Sequence, residues 1–302
     1  MSDDAYGGKV SLGLDVGATT VKGAVVAGGG EILARHSVPT PSAGSSRDIE
    51  DAILSCVDQL RTASAFVSSI GLAAAGWIGP DRRSVVFSAN FSAWQDEPLV
   101  DRLEQRTGLP VVMENDANAA AWGEFVFGAG VGATSMVAIT LGSGVGGALI
   151  VNDQLVRGHH GGAGEIGHSV MITGGYPCAC GRHGCMENYV SGRSINRRGQ
   201  PVFGEADLHQ LALRGDERAI ELYREFGTYL GQGLANVMML VNPQRVVISG
   251  GVAVAFDLFV DAAVTSMTAE LGPHWRGLVP EFVVGQLGHD AGVLGAADLA
   301  RT

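Results

Sequence analysis

The stretch GEIGHSVMITGGYPCACGRHGCMEN, Gly164 to Asn188, holds three of the chain's four cysteines within eight positions, the first of them ten residues after His168. Thiolate and imidazole are soft ligands that zinc accepts. His168, Cys178, Cys180 and Cys185 supply four of them, the number a closed tetrahedral site requires. A zinc held this way has no open coordination position, so its role would be structural. Cys178 and Cys180 are poorly placed to bridge each other, because a disulfide needs Cα atoms about 4.4–6.8 Å apart with suitable Cβ vectors. Free thiols in a glycine-rich loop are the alternative. Cys56, alone in a helix-like segment, reads as core.

Three glycine turns offer different chemistry. In DVGATTVK, the Asp15 carboxylate stands at a strand end, followed by Gly17, Thr19, Thr20 and Lys22. A carboxylate to anchor Mg²⁺ through water, a closely approaching backbone and hydroxyl donors are what a nucleotide phosphate tail needs. An ordinary polar hairpin turn is the competing reading. LGSGVGG offers a second such turn at Gly142, with Thr140 and Ser143 as donors, and SGG places Gly250 and Gly251 between a strand and a helix. Each is weak evidence alone. Together, without a Walker A sequence, they describe a nucleotide site. ENDANAAAWGE is sharper: Asp116 follows the strand-like LPVVM where the chain enters a helix. That puts its carboxylate at a strand's carboxyl edge, where open α/β sheets bind ligands. Such an aspartate can take a proton from an alcohol attacking phosphorus, or it can simply cap the helix.

The elements that must position these residues follow from the pattern. Val10–Leu14, a glycine turn and VKGAVVA read as a hairpin, and Ser135–Val151 repeats that plan about 125 residues later. Two halves of related design are implied. Arg47–Ala63 reads as a helix, SIGLAAAG and LPVVMEN as strands, and Ala117–Phe125 as a helix capped by Asn115 or Asp116. Asp207–Met239 reads as two helices, and Arg245–Ser249 as a buried strand. Strands alternating with helices make this an α/β protein with covered sheets. The expected hinge lies near Asp116–Gly132, with the last helix, Ala291–Arg301, returning to the first half. The expected domains are 1–118 with 291–302, and 119–290.

Composition narrows the function classes. A 46% hydrophobic and 17% charged chain suits a well-buried globular protein, and the 45 glycines fall mostly after apolar runs, as turns at strand ends do. The formal charge of −11 argues against a nucleic-acid surface. The start, MSDDAYGGKV, has no basic or apolar leader region, and no apolar run is expected to reach the roughly 18 residues of a membrane span. A cytoplasmic protein without membrane or nucleic-acid partners is expected, a compartment where clustered Cys and His bind metal more often than they form disulfides.

Over about Lys9 to Arg301 the sequence resembles the ROK-family sugar kinases, above all their actinobacterial glucokinase-like members. LGLDVGATTVK, ENDANAAAWGE, GAGEIGH with CACGRHGCMEN, and LGHDAGVLGAADLAR carry the resemblance. It implies a two-domain actin-like ATPase fold, ribonuclease H-like in each half, with ATP, Mg²⁺ and a hexose meeting in a cleft. It implies that Asp116 is the base toward the sugar 6-hydroxyl, and that Asn90, Asn115, Glu165, His168 and Glu187 contact the sugar. His168, Cys178, Cys180 and Cys185 match the family's zinc ligands. Asp15, Gly17, Thr19, Gly142 and Gly251 fall in its phosphate and adenosine segments. The zinc would fold the loop that positions Glu165 and Glu187. A homodimer or homotetramer is expected.

The chain departs from the family pattern at a few positions. Ala18 replaces a usual glycine, Ser143 stands where threonine is common, and Ala89 replaces a proline before Asn90. The segment Ser194–Glu205 is compact. The last two bear on sugar preference. Sugar-responsive ROK repressors carry a helix-turn-helix ahead of the first phosphate motif. Here that motif begins by Leu12, so a non-catalytic regulator is the remote reading. Within kinases, N-acetylmannosamine or an aminodeoxyglucose is the alternative substrate, and polyphosphate an alternative donor.

Overall fold

A computed structural model describes residues 9–64 and 66–301. Most of the polar start, residues 1–8, lies outside the described residues. The chain forms two compact units. One comprises the residues up to Val131, Leu155–Ala163 and those from Gln286 onward; the other comprises Gly132–Gln154 and Gly164–Gly285.

The first unit begins with the hairpin of β1 (Val10–Val16) and β2 (Thr20–Val26), extended by β3 (Ile32–Pro39). Helix α1 (Ser46–Ala63) leads to β4 (Val67–Ala74). The short β5 (Trp77–Ile78), β6 (Val85–Phe87) and β7 (Gln95–Glu97) make a small antiparallel sheet. Helix α2 (Leu99–Thr107), β8 (Val111–Asn115) and α3 (Asp116–Phe127) follow. The main sheet has the order β3-β2-β1-β4-β8, with β2 antiparallel to its neighbours and β4 and β8 parallel to β1. Helix α1 starts on a capping box, in which Ser45 and Asp48 satisfy each other's backbone N–H groups. It buries Ile49, Ile53, Cys56, Val57 and Leu60 among the side chains of β1, β2 and β4, which confirms the reading of Cys56 as core.

The C-terminal helix (Ala291–Leu299) covers the sheet's other face, where its backbone comes very close to the strands. A Cβ built on Gly13 would lie 1.9 Å from the Val293 carbonyl oxygen, and one on Gly71 1.8 Å from that of Ala296. Only glycine fits at those two strand positions. Helix α3 packs along the same C-terminal helix, so all of α3 belongs to the first unit, which runs to Val131 and not to 118. Residues 155–163 and 286–290 also fall in the first unit, away from where the expected 119–290 domain put them.

The second unit repeats the design. It contains β9 (Met136–Leu141), β10 (Val145–Val151), β11 (Gln154–Leu155), α4 (Glu187–Val190), α5 (Gly192–Phe203) and α6 (Leu208–Leu213). The long α7 (Glu217–Val241), β12 (Arg245–Ser249), α8 (Phe256–Leu271) and β13 (Glu281–Val284) complete it, and the C-terminal helix is thus α9. Its sheet order, β11-β10-β9-β12-β13, matches the first, again with the second strand antiparallel to the first and the fourth and fifth parallel to it. This doubled ribonuclease H-like plan is that of the actin-like ATPases. Gly251–Leu271 has a mean hydropathy of 1.5 over an 18-residue window, so one stretch does reach the length and apolarity of a membrane span, contrary to expectation. Phe259, Ala263, Met267 and Leu271 along one face of it are buried with residues of α7.

Candidate active site

In the second unit, the loop from Gly164 to Glu187 is built around its cysteines. Two isolated bridges, Val170 with Cys185 and Pro177 with His183, fold it into a narrow hairpin. Its tip is a tight turn in which the Cys178 N–H donates to Arg182 O at 2.8 Å and the Gly181 N–H to Cys178 O at 3.0 Å. The ligand atoms of His168, Cys178, Cys180 and Cys185 lie within 4.8 Å of one another. Cys178 Sγ is 3.6 Å from His168 Nδ1, and Cys180 Sγ is 3.5 Å from Cys185 Sγ. A hydrogen bond from the Arg182 backbone lowers the Cys180 thiol to about 6, while burial pushes Cys185 up to about 12. Three thiolates this close repel one another unless a cation sits among them, and the His–Cys₃ donor set is one that zinc accepts.

The same loop places two carboxylates at the start of β10. Gly164 and Gly167 lie against that strand, with built Cβ positions 2.9 Å from Gly147 O and 2.2 Å from Val145 O. Glu165 stands between them, exposed, at the head of the 3₁₀ turn Ile166–His168. Glu187, two residues after Cys185, opens α4, and its Oε2 accepts the Val145 N–H at 3.0 Å. Gly144 makes room for it: a Cβ there would come within 2.5 Å of Oε2.

Val145 ends the turn that carries Gly142 and Ser143, so the cysteine loop and the glycine turn share one anchor. The Gly192 N–H, at the start of α5, donates to Gly142 O at 2.7 Å. Thr140, near the end of β9, pairs with Ser249 at the end of β12. Gly250 follows with φ +88°, its built Cβ only 2.4 Å from Leu141 O, and Gly251 opens the 3₁₀ turn ahead of α8. Thr140, Gly142, Ser143, Gly250 and Gly251 therefore gather at the carboxyl ends of β9 and β12.

In the first unit, Asn115 and Asp116 end β8 and begin α3. The cap is Asn115, whose Oδ1 accepts the Asn118 N–H at 3.1 Å. Asn115 Nδ2 donates to Gly76 O and to Asp116 Oδ1, both at 3.0 Å, so the cap residue also orients the aspartate. Asn90 is exposed in a loop rooted by Phe91 and Trp94, which are buried with ring centroids 4.5 Å apart. Ser88 Oγ accepts the N–H groups of Asn90 and Phe91 and donates to Ala75 O. Asp15 lies directly opposite Lys22 in the β1–β2 hairpin, and the Gly17 N–H closes the turn on Thr20 O at 3.1 Å. Thr40 fastens that turn by donating from Oγ1 to Gly17 O and from its N–H to Thr19 O.

Three buried carboxylates are absent from the sequence reading: Glu114, Glu124, and Glu50, which pairs with Arg102 and Arg106. Glu114 takes Arg157 Nε at 2.6 Å, and Glu124 accepts the N–H groups of Ala129, Gln286 and Leu287. For Glu114 and Glu124 the available signal was an acid inside an apolar run, in VVMEN and again in AAAWGEFVF. Such an acid is buried only when paired or hydrogen-bonded.

Residues 11–302 match the ROK family, and the chain belongs to it. It is 39% identical over 314 residues to a glucokinase of Streptomyces coelicolor, covering 97% of this chain and 98% of that protein. An N-acetylmannosamine kinase of Escherichia coli is 32% identical over 294 residues, covering 96% and 98%. Among solved structures, a ROK family glucokinase from Streptomyces griseus in complex with glucose and AMPPNP superposes with a TM-score of 0.80 at 38% identity, covering 97% of this chain and 99% of that one.

Burial raises the Asp15 carboxyl above its ordinary value, and Lys22 pulls it part of the way back. A carboxyl with a raised folded-state pKa stabilises the fold fully below the ordinary carboxylate range and loses that contribution as pH rises through the folded value. Asp15→Asn removes the ionisation, so the variant is expected to melt above the wild type at pH 8, with the difference shrinking toward pH 4. Thermal melts across that range check it, and a lower melting point for the variant at pH 8 counts against the burial account.

Proposed function

We propose that this chain is an ATP-dependent hexose kinase of the glucokinase kind, transferring the γ-phosphoryl group to the 6-hydroxyl of glucose. The observation that carries the reading is the shared anchor at β10. Glu165 and Glu187, suited to hydrogen-bond sugar hydroxyls, stand beside the glycine turn suited to phosphates. The glucokinase relatives support glucose as the acceptor. The N-acetylmannosamine kinase relatives support the second reading, a kinase for an amino or N-acetylamino hexose. A coupled ADP-release assay over a panel of hexoses and aminohexoses is expected to give glucose the highest kcat/KM. A higher value for N-acetylmannosamine or an amino sugar would transfer the assignment to the second reading.

Asn90, Asn115, Glu165, His168 and Glu187 hold the sugar in this proposal. Asp15, Gly17, Thr19, Thr20 and Lys22, with Thr140, Gly142, Ser143, Gly250 and Gly251, serve the nucleotide. Mg²⁺ supplies charge neutralisation on the phosphates, and Asp15 is the carboxylate suited to anchor it through water. Zinc, held by His168, Cys178, Cys180 and Cys185, supplies folding energy to the loop that carries Glu165 and Glu187. The protein acts in the cytoplasm as a homodimer or homotetramer. Purified protein is expected to hold one zinc per chain, and Cys180→Ser to lower both metal content and glucose affinity. Full activity without zinc would overturn that role.

Asp116 is the general base. As the sugar 6-oxygen bonds to the γ-phosphorus and the bond to the ADP oxygen breaks, the carboxylate takes the hydroxyl proton. Asn115 is the N-cap of α3, and Asp116 Oδ1 accepts the Ala117 N–H at 3.0 Å in the same first turn, a contact that an asparagine at 116 could also make. Asp116→Asn keeps the shape but cannot take a proton, and kcat is expected to fall about 10²–10⁴-fold. Glucose binding by calorimetry should change little. Turnover near the wild-type rate would remove Asp116 from the mechanism.

A further inference from the structure

Glu114 is almost fully buried, and each oxygen of its carboxylate meets two partners. Oε1 accepts the Asn115 N–H and Asn118 Nδ2, both at 3.1 Å. Oε2 accepts Arg157 Nε at 2.6 Å and faces Arg82 Nη2 at 3.4 Å. Arg82 sits in left-handed backbone with φ +58° and donates from Nε to Met113 O. Two arginines thus meet one buried carboxylate, on the strand that ends in Asn115 and leads into Asp116.

Arg157 belongs to a loop with very little freedom. The Ala163 N–H donates to Arg157 O at 3.0 Å, which closes 157–163 on itself. Trp77 Nε1 donates to His160 O at 2.6 Å, and a Cβ built on Gly161 would lie 2.3 Å from Ile78 O. The next residues along the chain are Gly164 and Glu165. One ion pair therefore ties the segment leading into Glu165 to the strand that presents Asp116.

Building on the kinase reading, we propose that Glu114 is a positioning residue for the sugar. Through Arg157 it holds the 157–163 loop in register with Asn115 and Asp116. Glu114 touches neither substrate. Its loss misplaces sugar-binding groups and leaves the nucleotide turns alone, so the effect falls on the sugar KM.

The test is steady-state kinetics with glucose and ATP, together with thermal melts, on Glu114→Gln, Arg157→Gln and the double variant. Each single variant is expected to raise the glucose KM about ten-fold or more, with kcat and the ATP KM changed by less than about three-fold. The double variant should be no worse than the poorer single, because both singles break the same Glu114–Arg157 pair, and Arg82 loses its carboxylate in Glu114→Gln and in the double variant alike. Arg157→Lys, which keeps the charge, should recover part of the affinity. If Glu114→Gln does not fold, Glu114→Asp and Arg157→Lys read the same split. A lower melting point with an unchanged glucose KM would make the pair merely structural and overturn the proposal, as would additive effects in the double variant. A wild type that phosphorylates no hexose would bring down the kinase reading instead. The anchor would then rest on hydrogen exchange across 157–163, faster in Glu114→Gln if the proposal holds and unchanged if it fails.

Discussion

The first unit depends on how closely the backbone of α9 approaches β1 and β4. A helix normally packs on a sheet through two layers of side chains; here Gly13 and Gly71 remove one layer, and the helix carbonyls nearly touch the strands. The contact leaves no room for water and buries nearly all of α9. It also brings Gly292 beside Asp15, so the packing that closes the core helps bury the carboxylate whose chemistry depends on its surroundings. Helix α3, which carries Asp116 in its first turn, packs on the same helix.

The second unit meets the same demand with a different device. The loop between Glu165 and Glu187 has little regular structure and by itself would be mobile. The loop is held by short links: the bridges at Val170 and Pro177, the cysteine cluster at its tip, and the Glu187 carboxylate on the Val145 N–H. Gly144, Gly164 and Gly167 let these links form by keeping side chains out of the way. Many of the chain's glycines thus mark where one segment must lie against another.

Much of this was legible in the sequence. The repeated hairpin announces two related units, the strand Arg245–Ser249 has the bounds its apolar run implies, and helix α1 begins one residue from the expected start. The cysteine spacing picks out four ligands that the fold brings within 4.8 Å of one another. The boundary between the units was not legible at 118. What settles it is the packing of α3 on a helix more than 160 residues later, a long-range contact with no local signature. Glu114 and Glu124 were hidden for the same reason. Their partners, Arg157 and the backbone near Leu287, are distant in sequence, and only the apolar setting of each acid hinted at burial.

The arrangement of the two units also has a consequence for synthesis. The chain passes from one unit to the other four times, after Val131, Gln154, Ala163 and Gly285. Every segment of the second unit is therefore made before the first unit can be completed, because α9 follows all of them along the chain. At about 5–20 residues per second, β1 and β4 wait on the order of ten seconds or more for the helix that covers them. Through that interval one face of a largely apolar sheet has no cover, and a nascent chain in that state is a natural client for a chaperone. The unit that begins first finishes last.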